Sequence, residues 1–176
     1  MDQDLGQRLK AVSLLEGDFV LRSGKRSRFY LDKYLFETQP DVLADLAAAL
    51  ARKAADHRPF DLLAGPELGA VALVTALSLE MRVPFIIVRK EEKEYGTRRL
   101  FEGQAERGQT VLLVEDVVTT GGAALAAVRR LRDHGLEVRG LICVVDREQG
   151  GREAFDAAGV AFDPLFTVSE LGIGIQ

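Results

Sequence analysis

The chain is poor in the residues that usually announce covalent, redox or metal chemistry. Its 176 residues hold one cysteine, Cys143, and two histidines, His57 and His134. A lone cysteine cannot close an internal disulfide, and Cys143 lies in an apolar run, which reads as core rather than nucleophile. Both histidines fall near the ends of predicted helices, where a cation favours the dipole without any chemistry. No His and Cys spacing suited to a metal occurs, and no nucleophile–base pairing is visible. No apolar stretch is long enough to span a bilayer, and the N-terminus lacks a signal-peptide pattern, so cytoplasmic residence and no membrane partner are expected. Positive charge is not in excess either. The formal net charge is -4, which gives no sign of a broad nucleic-acid footprint. A Walker A loop and a three-glycine Rossmann fingerprint are both missing.

What is present is an ordinary globular composition, 47% hydrophobic and 28% charged, at a length that suits one domain. No internal repeat, low-complexity tract or interdomain linker interrupts it. Apolar spacing predicts a helix over 5–15, a hairpin of strands 19–21 and 29–31 about a turn at 23–25, and a helix from Pro40 to about 57. Strands follow at 61–64 and 84–88, separated by a turn at 65–67 and an apolar helix over 68–81. A short strand is expected near 100–103, a buried strand at 110–114 and a helix ending near Gly135. A strand at 138–145, a helix over 151–158, a short strand near 160–162 and a helical tail from Ser169 complete the reading. Strands alternating with helices imply an α/β chain with a mainly parallel sheet covered on both faces. The loops after Ala64, Val88, Val114 and Val145 then meet at one rim, the carboxyl ends of the strands, where such sheets bind ligands.

One of these loops carries unusual chemistry. Val114-Glu115-Asp116-Val117-Val118-Thr119-Thr120-Gly121-Gly122-Ala123 joins a buried strand to a helix through paired acids, paired hydroxyls and paired glycines. The turn offers backbone N–H groups and a helix dipole to a phosphate, while the acids repel phosphate but accept hydrogen bonds from sugar hydroxyls. The segment therefore suits a phosphorylated sugar. Three further loops surround it. The run 89–99 is too polar for core. In isolation it reads as a solvated charge run, but at a ligand rim Arg89, Lys90 and Lys93 can close over a pyrophosphate. Gly65-Pro66-Glu67-Leu68-Gly69 reads equally as a tight turn or as a phosphate-facing backbone. Arg147 has the fork that matches a carboxylate, against the plainer reading of a surface ion pair.

The run around Glu115 and Asp116 resembles the phosphoribosyl-pyrophosphate (PRPP) motif of type I phosphoribosyltransferases. Three other segments resemble one branch of it, the orotate phosphoribosyltransferases. They are the 19–32 hairpin, the 89–97 loop followed by Glu102-Gly103, and Val144-Val145-Asp146-Arg147. The resemblance runs from about 14 to 147 with order and spacing kept. It implies a type I phosphoribosyltransferase fold: one domain over 1–176, with a small hood over about 1–36 and a core over about 37–176. It also implies transfer of the phosphoribosyl group from PRPP to orotate, giving orotidine 5'-monophosphate and pyrophosphate in pyrimidine synthesis.

By position, the resemblance implies that Arg89, Lys90 and Lys93, with Asp116, serve catalysis. PRPP would be held by Arg89, Lys90, Lys93, Tyr95, Glu115, Asp116, Val117, Val118, Thr119, Thr120, Gly121, Gly122 and Ala123. Orotate would lie among Arg22, Tyr30, Leu31, Thr119 and Arg147. Mg²⁺ would be the cofactor, carried mainly by PRPP without a dedicated protein cluster, and a homodimer would share the 89–99 loop between subunits. The chain departs from the pattern at Arg22, Arg28, Gly69 and Tyr95. Tyr95 stands where members carry His, and a phenol is no acid at neutral pH. Two rivals remain at this stage. A purine phosphoribosyltransferase would lack the hairpin pattern, and a PRPP-sensing RNA-binding regulator would be expected to show a basic face.

Overall fold

The computed structural model describes residues 2–20, 26–90 and 100–173. Helix α1 (Asp2–Ser13) runs directly into strand β1 (Leu14–Val20), which pairs antiparallel with β2 (Arg26–Leu31). β1 begins five residues earlier than periodicity suggests, because Leu14 and Leu15 already face Leu31 and Tyr30 across the hairpin. A one-turn helix, α2 (Lys33–Glu37), follows and was not expected. Asp32 caps it, its carboxylate accepting the Tyr34 N–H at 3.1 Å, which supplies a start signal too short for a periodic pattern to reveal.

Helix α3 (Pro40–Ala55) opens on Pro40 and Asp41 and closes on Arg52 and Lys53, the charge order that its dipole favours. Val42, Leu46, Ala49 and Leu50 form its buried stripe. Arg8 of α1 reaches Asp41 at 3.1 Å and Asp45 at 2.5 Å, tying the N-terminal helix to α3. Then come β3 (Leu62–Pro66), α4 (Val71–Met81), β4 (Phe85–Val88), β5 (Phe101–Glu102), β6 (Thr110–Val118), α5 (Gly122–Asp133), β7 (Glu137–Asp146), α6 (Gly151–Ala157) and β8 (Phe162–Thr167).

These strands form a six-stranded sheet in the order β5-β4-β3-β6-β7-β8, parallel except for β5 at one edge. Period-2 alternation sorts the core into two layers. Leu63, Leu112, Val114, Ile142 and Val144 pack with α1, α3 and α4. Leu62, Ala64, Leu113, Leu141 and the fully buried Cys143 pack with α5 and α6. From β3 the chain moves outward to β4, and from β6 it moves the other way to β7 and β8. The order therefore reverses between β3 and β6, and a crevice opens there beyond the strand ends.

Three further boundaries differ from expectation, each through pairing that local sequence does not display. β6 extends through Val118 because β7 stays in register up to Val118 opposite Asp146, so Glu115 and Asp116 lie inside the strand and not beyond it. α4 begins at Val71 and not at 68, because Glu67 and Leu68 belong to the preceding turn, with the Glu67 N–H donating to the Val88 carbonyl at 2.9 Å. β8 occupies Phe162–Thr167, later and longer than 160–162, because it pairs with β7 from Leu141 to Asp146.

Candidate active site

The crevice between β3 and β6 is built from two strand-to-helix turns. The first follows β6. Gly121 adopts φ +77, and a Cβ there would lie 2.9 Å from Phe155 Cζ, so glycine is required on both backbone and packing grounds. Gly151 approaches the same turn, where a Cβ would meet the Thr119 carbonyl at 2.9 Å. The Arg147 N–H donates to the Val118 carbonyl at 2.8 Å and anchors the start of the turn. No side chain caps α5 at Gly121. The first-turn N–H groups have no intrahelical acceptor, so they present donors to the crevice.

The acid pair stands one step back in the strand. Glu115 and Asp116 are both buried. Asp116 Oδ1 accepts its neighbour Val117 N–H, while Oδ2 takes the Lys33 ammonium at 2.5 Å. Burial first, and then the charge of Asp116, pushes the Glu115 carboxyl up to about 8. A carboxyl raised in this way keeps its proton more readily, and in that form it can donate as well as accept. Lys33 is half-buried. Desolvation lowers its pKa, but the hydrogen bond and charge of Asp116 outweigh this and leave it raised. One turn along α2, Glu37 is 4% exposed, and its Oε1 has no hydrogen-bond partner. Burial, then the charge of Asp116, lifts Glu37 to about 8.

The second turn follows β3. Its own groups hold it closed. Glu67 Oε1 accepts the Lys90 N–H at 2.7 Å, and the Ala70 N–H donates to the Pro66 carbonyl at 3.3 Å. A Cβ on Gly69 would overlap both Asp116 Oδ2 and Lys33 Nζ and lie 3.0 Å from Asp116 Cγ. The turn backbone therefore presses directly against the ion pair.

β4 supplies the stem of the polar loop. The Arg89 N–H donates to the Leu100 carbonyl at 3.0 Å, and Arg130 of α5 donates to the carbonyls of Arg89 and Lys90. The Arg89 guanidinium meets Glu102 at 3.3 Å, while Lys90 is exposed. Lys93 and Tyr95 of the loop, and Arg22 of the hairpin, lie outside the described residues.

The structure thus brings Glu115, Asp116, Val117, Val118, Thr119, Thr120, Gly121, Gly122 and Ala123 to one wall, with Arg89 and Lys90 two strands away and Arg147 beside Val118. Tyr30 and Leu31 lie on β2, and Lys33, two residues beyond Leu31, reaches Asp116. Tyr30 stacks loosely on Phe19, with ring centroids 5.6 Å apart, and presents a half-exposed ring. Among the described residues no group of three or more His, Cys, Asp or Glu side chains is placed to hold a metal. Sequence reasoning missed Lys33, Glu37 and Arg130. The only local signal was the Asp32 cap, which announces a helix start and so the direction of Lys33.

The architecture and the crevice define a phosphoribosyltransferase, and a family model described as phosphoribosyl transferase domain matches residues 36–160. Orotate phosphoribosyltransferase of Pyrococcus horikoshii is 49% identical over 156 residues, covering 88% of this chain and 84% of the relative. That of Methanocella arvoryzae is 44% identical over 174 residues, covering 97% of each. A crystal structure of the Mycobacterium tuberculosis orotate phosphoribosyltransferase with PRPP is 30% identical, superposes with a TM-score of 0.81, and covers 97% of this chain and 98% of its own. The chain belongs to the orotate phosphoribosyltransferase family of type I phosphoribosyltransferases.

Proposed function

We propose that the chain transfers the phosphoribosyl group of PRPP to orotate, producing orotidine 5'-monophosphate and pyrophosphate in pyrimidine nucleotide synthesis. The carrying observation is the wall formed by buried Glu115 and Asp116 followed at once by the uncapped α5 N-terminus, at the switch point between β3 and β6. The ribose 5-phosphate takes the N–H groups of 118–123, and its diol takes Glu115 and Asp116. The reaction separates charge, since pyrophosphate leaves C1 as the ring gains cationic character. Orotate arrives as an anion and needs little activation. The work of the protein is therefore positioning, screening and exclusion of water. Arg89, Lys90, Lys93 and Tyr95 attend the diphosphate. Arg147 forks onto the orotate carboxylate, with Arg22, Tyr30, Leu31 and Thr119 around the base.

The donor set also fits magnesium. Mg²⁺ prefers hard oxygens and keeps most of its shell as water and substrate phosphate, so it would be carried mainly by the PRPP oxygens, without a dedicated protein cluster. When bound it neutralises charge on the leaving group. We read 1–36 as a hood over a 37–176 core, both within one domain. We read the enzyme as a homodimer that shares the 89–99 loop between subunits, on the strength of the family resemblance. No helix among the described residues is long and apolar enough to cross a membrane, in keeping with a cytoplasmic enzyme.

The direct test mixes the protein with orotate, PRPP and Mg²⁺ and follows the loss of orotate absorbance, with metal-free and adenine controls. A steady fall with orotate alone is expected, and turnover of adenine but not orotate would overturn the reading. Lys93→Ala should lower kcat by about a hundredfold while leaving PRPP binding nearly intact, because its charge matters most as the leaving group departs. Unchanged turnover would remove the loop from catalysis.

A further inference from the structure

The strand order places the 65–69 turn between two anchors. β3 lies between β4, whose end carries Arg89 and Lys90, and β6, which carries Glu115 and Asp116. A PRPP molecule with its ribose on β6 and its diphosphate reaching β4 must pass over that turn. Lys33 stands at the crossing. Its ammonium lies in the space that a Gly69 side chain would fill, pressed between the turn backbone and Asp116, yet Lys33 keeps 33% of its side chain exposed. Asp116 is only 3% exposed, and both its oxygens are engaged, Oδ1 by Val117 and Oδ2 by Lys33. While Lys33 sits on Oδ2, its ammonium competes with a ribose hydroxyl for that oxygen. A diphosphate passing over Gly69 supplies the reason for Lys33 to turn aside, since it brings several negative oxygens to a half-exposed ammonium on a flexible four-carbon stem.

We propose that Lys33, delivered by the short helix after the hairpin, is a diphosphate-binding residue of the PRPP site, and that its pair with Asp116 is the position it leaves as PRPP enters. This rests on the reading of 115–123 as the ribose phosphate wall. Exchange of one anion for another keeps the ammonium compensated throughout, and it frees Oδ2 for the diol at the moment the diol arrives. Gly69 is required so that the cation can occupy the crossing. Before PRPP enters, the hydrogen bond and charge of Asp116 keep the Lys33 ammonium charged against its burial.

The test is a set of calorimetric titrations of full-length protein with PRPP, inorganic pyrophosphate and orotidine 5'-monophosphate in Mg²⁺. Lys33→Met should weaken PRPP and pyrophosphate by about tenfold or more while the monophosphate, which lacks a diphosphate, stays within about threefold. Lys33→Arg should recover part of the loss, and it keeps the comparison readable if the methionine variant folds poorly. A parallel loss of all three ligands would show that Lys33 only props Asp116, and unchanged PRPP and pyrophosphate binding would remove it from the site. Either result overturns the proposal. Asp116→Asn separates this from the underlying reading. It should weaken PRPP and the monophosphate together, and if it alters neither, the ribose wall itself is misplaced and Lys33 falls with it.

Discussion

The two turns that flank the switch point look alike in sequence and behave in opposite ways. Each ends a buried parallel strand, each contains glycine, and each opens a helix without a side-chain cap. The turn after β6 is shaped by backbone: Gly121 at φ +77, packed on Phe155, leaves the α5 N–H groups facing outward. The turn after β3 spends its groups on itself and its neighbours, through Glu67 to Val88 and Lys90 and through Ala70 to Pro66. One turn offers donors to an anion. The other is tied to its neighbours by Glu67 and Ala70 and holds the cation of another element against its surface.

Alanine at each glycine sharpens the contrast. Gly121→Ala forces a Cβ into left-handed backbone and against a stiff buried ring. It should cost about 2–3 kcal/mol of stability and abolish most PRPP binding, measured by chemical unfolding and calorimetry. Gly69→Ala meets only the ends of two side chains, one of them flexible. It should leave stability within about 1 kcal/mol and weaken PRPP by about tenfold through displacement of Lys33 and Asp116. Equal stability losses in the two variants would dissolve the distinction between a backbone-shaped turn and a side-chain-filled one.

The smallest effect is a matter of pH. Glu37 binds its proton more tightly folded than unfolded, because burial and then the Asp116 charge raise its pKa to about 8. Its stabilising contribution is therefore full below the unfolded carboxylate range and is lost as pH rises through about 8. Glu37→Gln removes that decline. Its melting temperature should match the parent near pH 5 and exceed it by about 3 °C at pH 9. A gap of the same size at both values would mean that Glu37 does not titrate in this range.

Much of the site was legible because its parts are adjacent in the chain. An apolar strand, two acids, two hydroxyls and two glycines within 111–123 carry their own geometry, and the resemblance to phosphoribosyltransferases rests mainly there. The β6 boundary was misjudged because the strand length is set by pairing with β7, whose partner residues lie about thirty positions away. α2 escaped because one helical turn has no periodicity to read. The upward push on the Glu115 carboxyl comes from burial, which composition cannot disclose.

The sequence by itself determined the alternating α/β order, the phosphate-facing turn after β6 and the family, because these follow from near neighbours and from short motifs with local geometry. Only the tertiary structure decided that Lys33 meets Asp116 across 83 positions, that Gly69 must make room for both, and that Glu37 is buried beside them. Such encounters depend on strand order and on where α2 sets Lys33 against β6, and no local propensity encodes the distance between residues brought together from separate elements.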